Sequence, residues 1–274
     1  MLVFPHAKIN LGLHVLRLRD DGYRDIVTAL VPIPLCDVLE AIVDRSLGAG
    51  KLDFTRSGLD VPGARGQDLC VKAYQLLRER HDMPGLRMRL HKTIPVGAGL
   101  GGGSSDGAHA LRLLNDLLCL GESDADLQRL AASMGSDCAF FLRKGACLAQ
   151  GRGEQLTPLT LDLRGWWLLL INPGIHVSTA EVYARTAPRS AREDLGAMLS
   201  DSTPETWSGR LVNVMEEYVF EAYPIVAKVK KEMLAAGAVH AAMSGSGSSV
   251  FGLFRTEPRS PALPVGHRAW SLRL

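Results

Sequence analysis

Residues 95 to 110 read PVGAGLGGGSSDGAHA, and six of these positions are glycine. Successive glycines let a backbone take positive φ and come close to a ligand, and consecutive N–H groups can then converge on one anion. The segment runs directly into a leucine-rich stretch with helical spacing. Unpaired amides and the positive end of a helix dipole would therefore face the same spot, which favours phosphate. Pro95, Gly97, Gly99, Leu100, Gly101, Gly102 and Gly103 form the expected cradle, and Ser104 and Ser105 add hydroxyl donors or a magnesium ligand. A flexible loop with a helix cap is the structural alternative. Asp137 follows an expected helix break and precedes CAFFL, where partial desolvation would raise its basicity; an N-cap aspartate is its ordinary role. Lys8 projects from the polar face of the first strand beside Asn10.

Spacing separates the known phosphate loops. A Walker A loop needs Lys before its closing Ser or Thr, and here Gly103 precedes Ser104. Gly97, Gly99 and Gly102 satisfy GxGxxG, so a nicotinamide-dependent oxidoreductase must be weighed. Its acidic ribose partner should end a second strand, whereas the sequence near residue 120 is helical. Protein-kinase HRD and DFG triplets are missing. No His, Cys or Asp cluster has zinc spacing, so the metal expected is magnesium arriving with a nucleotide and no protein metal site is assigned.

These groups need a scaffold. HAKINLGLHV alternates, with Ala7, Ile9, Leu11, Leu13 and Val15 on one face and His6, Lys8, Asn10 and His14 on the other, which predicts a half-buried strand. GQDLCVKAYQLLRER has helical spacing, LRMRLHKTI alternates, and the glycine loop leads to a helix with Ala110, Leu111, Leu114, Leu117 and Leu118 inward. Ser123 and Asp126 resemble a capping box, and Gly135 is the expected C-terminal cap of that helix. WWLLLIN predicts a buried strand, helices are expected around residue 180 and over 210 to 236, and VFGLF predicts a final strand.

With 274 residues and 46% hydrophobic content the chain is long enough for two domains, 1–154 and 155–274. Lys plus Arg total 31 against 29 Asp plus Glu, scattered rather than clustered, which calls for neither nucleic acid nor a membrane surface. Five single cysteines fit reduced thiols and a cytoplasmic protein without a leader or membrane span. The expected partner is a small molecule, with the oligomeric state left open.

PVGAGLGGGSSDGA, together with amino-terminal AKINLGL and carboxy-terminal MSGSGSSVFG, resembles the motifs of the GHMP small-molecule kinases, in the same order. Through DGY, GSDCAFF, GRGEQL and NPGIHVST the chain is most similar to the branch acting on a cytidine-diphosphate-linked methylerythritol, from about residue 4 to about residue 254. The resemblance implies an α+β fold of two domains with the active site in the cleft between them. It implies ATP-dependent phosphorylation of the 2-hydroxyl of that acceptor, on the non-mevalonate isoprenoid precursor route. A homoserine or mevalonate type of GHMP kinase is the alternative within the family.

The resemblance also implies roles. Asp137 would be the catalytic base, with Lys8 beside it to orient the hydroxyl and stabilise developing charge. Asp68 and Leu69 match a pair that borders adenine, and Lys92 would line that pocket. Tyr23 and Tyr183 match rings that sandwich the cytosine. The family reads GYH where this chain has Tyr23 and Arg24, and an arginine only donates whereas a neutral histidine also accepts. Asn10 and Thr179 would contact the methylerythritol or its diphosphate. Gly245 and Gly247, in SGSGSS, would form a second small-residue loop beside the first, with a hairpin turn as the structural alternative.

Overall fold

The structure is a computed structural model that describes residues 1–61, 65–191, 193–259 and 264–274. The chain begins with β1 (Leu2–Val3), β2 (His6–Leu18), β3 (Arg24–Cys36), β4 (Val38–Val43) and β5 (Leu52–Gly58). Then follow α1 (Leu69–Arg78), β6 (Leu86–Lys92), α2 (Gly102–Leu118), α3 (Asp124–Met134), β7 (Cys147–Gly151), β8 (Gln155–Pro158) and β9 (Trp167–Asn172). The remainder is α4 (Thr179–Arg185), α5 (Leu195–Ser200), α6 (Glu216–Ala222), α7 (Pro224–Ala235), β10 (His240–Met243), β11 (Val250–Phe254) and β12 (Arg268–Arg273). This is a mixed α+β chain, as the sequence implies.

Two compact units are built from interleaved segments. Residues 1–7, 35–96 and 101–144 form the first, and residues 8–34, 97–100 and 145–274 the second. Strands β2 and β3 fall largely with residues after 145 in the second unit.

The first unit has a sheet in the order β1-β4-β6-β5, with β4 antiparallel and β5 parallel to β6. Leu86, Met88 and Leu90 alternate inward along β6, matching the two-residue period of LRMRL. Helices α1 and α2 pack together, and α2 also rests on β4. Asp68 caps α1 by accepting from the Cys70 amide at 2.9 Å, and Ser123 with Asp126 forms the capping box of α3. Gly135 does end α3, but at φ 173, so extended backbone rather than a left-handed turn stops the helix. On α2 the inward set is Ala110, Leu111, Leu113 and Leu114, while Leu117 and Leu118 are only half-buried.

The second unit has two sheets, β2-β3-β7-β8 and β10-β11-β9-β12. Its core joins Leu13, Val15 and Ile26 to Leu169, Ile171, Val229 and Met243. Strand β2 is buried on both faces from Ala7 to Val15, with Lys8, Asn10 and His14 at 4%, 3% and 8% exposure, so it is not the half-exposed strand its alternation predicts. VFGLF is not the last strand, since β12 pairs with β9 after it. Residues 210 to 215 are not helical, and α5 was not expected.

Candidate active site

The glycine turn is left-handed at three positions, with φ 64, 77 and 70 at Gly97, Gly99 and Gly101. Each would strain an L side chain. Gly101 is the N-cap of α2 and makes no side-chain capping bond, so the helix opens with its first amides uncapped. In the first unit a Cβ on Gly102 would lie 2.9 Å from Ile94 Cγ2 and 3.3 Å from Lys92 Nζ. Gly103, by contrast, faces open space, with nothing within 4 Å of such an atom. Ser104 stands half-buried in the same turn. The Ser105 side chain is fully buried, with Oγ 3.3 Å from His109 Nδ1, and the side chain of half-buried Ser104 hydrogen-bonds that of Cys138.

Residues 97–100 lie in the second unit, where they interlock with residues 244–249. A Cβ on Gly99 would sit 1.9 Å from the Ser244 carbonyl oxygen, and one on Gly97 would sit 2.8 Å from His176 Nδ1. Ser244 Oγ donates to the Gly99 carbonyl at 2.8 Å, and the Ser249 amide donates to Ala98 O at 3.2 Å. The late SGSGSS segment is therefore both the β10–β11 connection and a packing partner of the first loop. Gly245 and Gly247 take φ 57 and 85 there, and a Cβ on Gly245 would come 3.1 Å from Asn10 Oδ1.

Beneath the start of α2, the Lys92 ammonium donates to both Asp37 and Asp106, the latter at 2.5 Å, with all three side chains buried. Asp37 also accepts from the amides of Thr93 and Ile94. Burial pushes the Asp106 carboxyl well above the usual range against the pull of Lys92. Burial works against the Lys92 charge too, but the two carboxylates outweigh it and hold the amine above its ordinary value. Lys92 is spent on this cluster, and Asp106 Oδ1 is buried without a hydrogen-bond partner. Asp106 closes the GSSD run, a legible acidic position beside the loop; Asp37 stands in a plain strand sequence and carries no such signal.

Lys8 Nζ donates to Asn10 Oδ1 at 2.6 Å, Asn10 Nδ2 donates to Thr28 Oγ1 at 3.0 Å, and the Asn10 amide donates to Ser244 Oγ at 3.2 Å. Asn10 thereby orients the ammonium and ties β2 to the 244–249 loop. In the first unit, half-buried Asp137 precedes a short 3₁₀ turn, Cys138–Leu142, and makes no side-chain cap bond to it. That turn is anchored by Phe140 and Phe141, whose ring centroids are 5.1 Å apart, with His6 5.3 Å from Phe141. Asp68 is occupied by the α1 cap and an ion pair with Arg56 at 3.4 Å, beside Leu69.

Tyr23, 57% exposed, sits in the β2–β3 turn with the Arg152 guanidinium 4.8 Å from its ring centroid. Arg24 donates to the carbonyls of Thr186 at 3.1 Å and Ala184 at 3.4 Å, at the end of α4. Tyr183 on α4 packs partly buried against the core of the second unit. Thr179 Oγ1 lies 2.9 Å from Ser246 Oγ. Thr28 carries no signal in the sequence, and Arg152 and Ser244 stand out only as parts of GRGEQL and SGSGSS, because their partners are far along the chain. Among the described residues no group of three or more His, Cys, Asp and Glu could hold a metal ion, and no helix is long and apolar enough to cross a membrane.

The family models agree with the motifs. Residues 68–145 match the GHMP kinases N terminal domain and residues 187–263 the GHMP kinases C terminal domain. A 4-diphosphocytidyl-2-C-methyl-D-erythritol kinase of Cytophaga hutchinsonii is 45% identical, with 95% of this chain and 94% of that protein covered. A crystal structure of a 4-(cytidine 5'-diphospho)-2C-methyl-D-erythritol kinase superposes with a TM-score of 0.79 at 32% identity, covering 99% of this chain and 98% of that one. A homoserine kinase from Cytophaga hutchinsonii, with a TM-score of 0.67 at 18% identity over 92% of this chain and 85% of that one, shares the fold alone. The GxGxxG match is thus no dinucleotide fingerprint. On motif order, coverage and identity together, the chain belongs to the GHMP kinase family and is similar along nearly its whole length to the 4-diphosphocytidyl-2-C-methyl-D-erythritol kinases within it.

Proposed function

We propose that this chain transfers the γ-phosphoryl group of ATP to the 2-hydroxyl of 4-diphosphocytidyl-2-C-methyl-D-erythritol, a step of the non-mevalonate isoprenoid route. The observation that carries the nucleotide half is the uncapped start of α2 behind three left-handed glycines, with room at Gly103. Amides there receive the phosphates without displacing a side-chain cap. The acceptor half is supported by the 45% identity to a kinase named for that substrate.

Asp137 takes the proton of the acceptor hydroxyl as its oxygen bonds to the γ-phosphorus, and the bond to the bridging oxygen breaks to leave ADP. The Lys8 ammonium, held in place by Asn10, offsets charge that develops on the transferred group. Magnesium bound with ATP would supply further charge neutralisation on the phosphates. An ion held mainly by phosphates and water fits this turn, and the Ser104 hydroxyl, hydrogen-bonded to the Cys138 side chain, would exchange that partner to serve as a protein ligand. The sequence modules 1–154 and 155–274 correspond to the amino- and carboxy-terminal kinase domains. Its five cysteines stand singly in the sequence, a spacing that fits reduced thiols and supports a cytoplasmic location.

The test is ATP consumption with the cytidylated methylerythritol, homoserine and mevalonate offered in parallel. Turnover confined to the cytidylated acceptor is expected. Faster turnover of either plain acceptor would replace the substrate assignment while leaving the kinase chemistry intact.

A further inference from the structure

We propose that Asn213 is a positioning residue for phosphoryl transfer: it grips the chain on both sides of Ser244, whose hydroxyl ties the glycine turn to Asn10, the partner of Lys8. This rests on the nucleotide site proposed above, and every residue concerned lies in the second compact unit.

The Asn213 side chain is buried and its amide group is engaged at both atoms. Nδ2 donates to the Met243 carbonyl at 2.9 Å and to the Gly245 carbonyl at 2.7 Å, and Oδ1 accepts from the Met215 amide at 3.0 Å. Both amide hydrogens are thus spent on the segment that leaves β10, and the oxygen serves the start of α6. The Asn213 backbone is anchored as well. The Leu13 amide donates to the Val212 carbonyl and the Val214 amide to the Leu13 carbonyl, each at 2.9 Å, so residues 212–214 run parallel to β2 at Leu13. Asn213 therefore fixes the 243–245 segment against the strand that carries Lys8 and Asn10.

The group held in this way is the hydroxyl of Ser244. Its oxygen donates to the Gly99 carbonyl at 2.8 Å and accepts from the Asn10 amide at 3.2 Å. It is a junction between the left-handed glycine turn and the residue to which Lys8 Nζ donates. Packing leaves the segment no room to approach the turn, since a Cβ on Gly99 would already lie 1.9 Å from the Ser244 carbonyl oxygen. The two bonds from Asn213 hold it in place. Few side chains could do this. A serine offers one donor, and an aspartate of the same shape keeps the acceptor for Met215 but turns an oxygen towards two carbonyls.

The test compares wild type with N213D, N213A, S244A and the double variants N213D/S244A and N213A/S244A, at a temperature where each is folded. ATP calorimetry and single-turnover phosphorylation of the cytidylated acceptor are the readouts. N213D loses only the two donors. N213A removes the side chain without burying a charge, so it carries the comparison if N213D does not fold. Each Asn213 variant should bind ATP about tenfold more weakly and transfer the phosphoryl group about 10- to 100-fold more slowly at saturating ATP. S244A should show both losses at similar size, and the double variants should lose no more than about twofold further, because the effect passes through Ser244. Wild-type affinity and transfer in a folded Asn213 variant, or losses that multiply in the double variants, would overturn the proposal. Wild-type behaviour of S244A would overturn it whatever the Asn213 variants do. A wild type that binds no ATP, or that phosphorylates homoserine or mevalonate in place of the cytidylated acceptor, would instead count against the function proposed above.

Discussion

At the residue scale, the two side chains proposed for chemistry are held differently. Lys8 is almost wholly buried and aimed by Asn10, whereas Asp137 is half-buried at the head of a 3₁₀ turn fastened by Phe140 and Phe141. Asp137→Asn keeps the shape and removes the base, so ATP affinity should persist while kcat falls by roughly 10² to 10⁴; single-turnover measurements check this, and near-normal transfer would remove Asp137 from the mechanism. The cluster of Lys92, Asp37 and Asp106 carries a different expectation. Lys92→Met leaves two buried carboxyls uncompensated, so it should destabilise folding by about 3 to 5 kcal/mol. Urea unfolding of the variant measures that, and a shift under 1 kcal/mol would mean the cluster is neutralised by protons alone.

At the element scale, the glycines of the loop separate into those the fold requires and one that leaves room. Gly99 presses on the Ser244 carbonyl, so Gly99→Ala must displace the 244–249 loop and should lower the melting temperature. Gly103 is helical and open, so Gly103→Val should fold almost as well as wild type yet weaken ATP binding by at least about tenfold, through bulk where phosphate approaches. Thermal melts and ATP titrations of the two variants should therefore rank them in opposite order. Equal ATP affinity in Gly103→Val would place the nucleotide elsewhere.

At the scale of the whole molecule, acid stability should report on buried histidines in both units. Burial lowers His109 in the first unit and His240 in the second to about 4. A depressed histidine binds its proton more readily when unfolded, so its contribution is intact above pH 6.5 and is lost as the pH falls from 6.5 towards 4. His240 stacks edge-on to Trp207 at 5.8 Å with no hydrogen bond to Nε2, so His240→Phe preserves the packing without the titration. The variant should gain on wild type by up to about 3 kcal/mol between pH 7 and pH 4. Chemical denaturation at the two pH values checks the sign, and a constant difference would show that His240 does not titrate on unfolding.

Local rules carried the sequence a long way. The glycine run, the capping box at Ser123, the alternation of LRMRL and the strand WWLLLIN depend on neighbours within a few residues, and the ordered motifs sufficed for the family. Contacts between distant segments were not legible. Strand β2 alternates as if one face met solvent, yet both are buried, because Asn10 on its polar face is bonded to Thr28 and Ser244. Arg24 stands beside Tyr23 where the family has histidine, and only folding brings it to the carbonyls at the end of α4. Lys92 reads as a nucleotide contact until Asp37 and Asp106 claim its charge. Chain chemistry sets which groups are available; the tertiary structure decides which are spent on each other, because hydrogen-bond capacity in a buried place is finite and the nearest partner takes it.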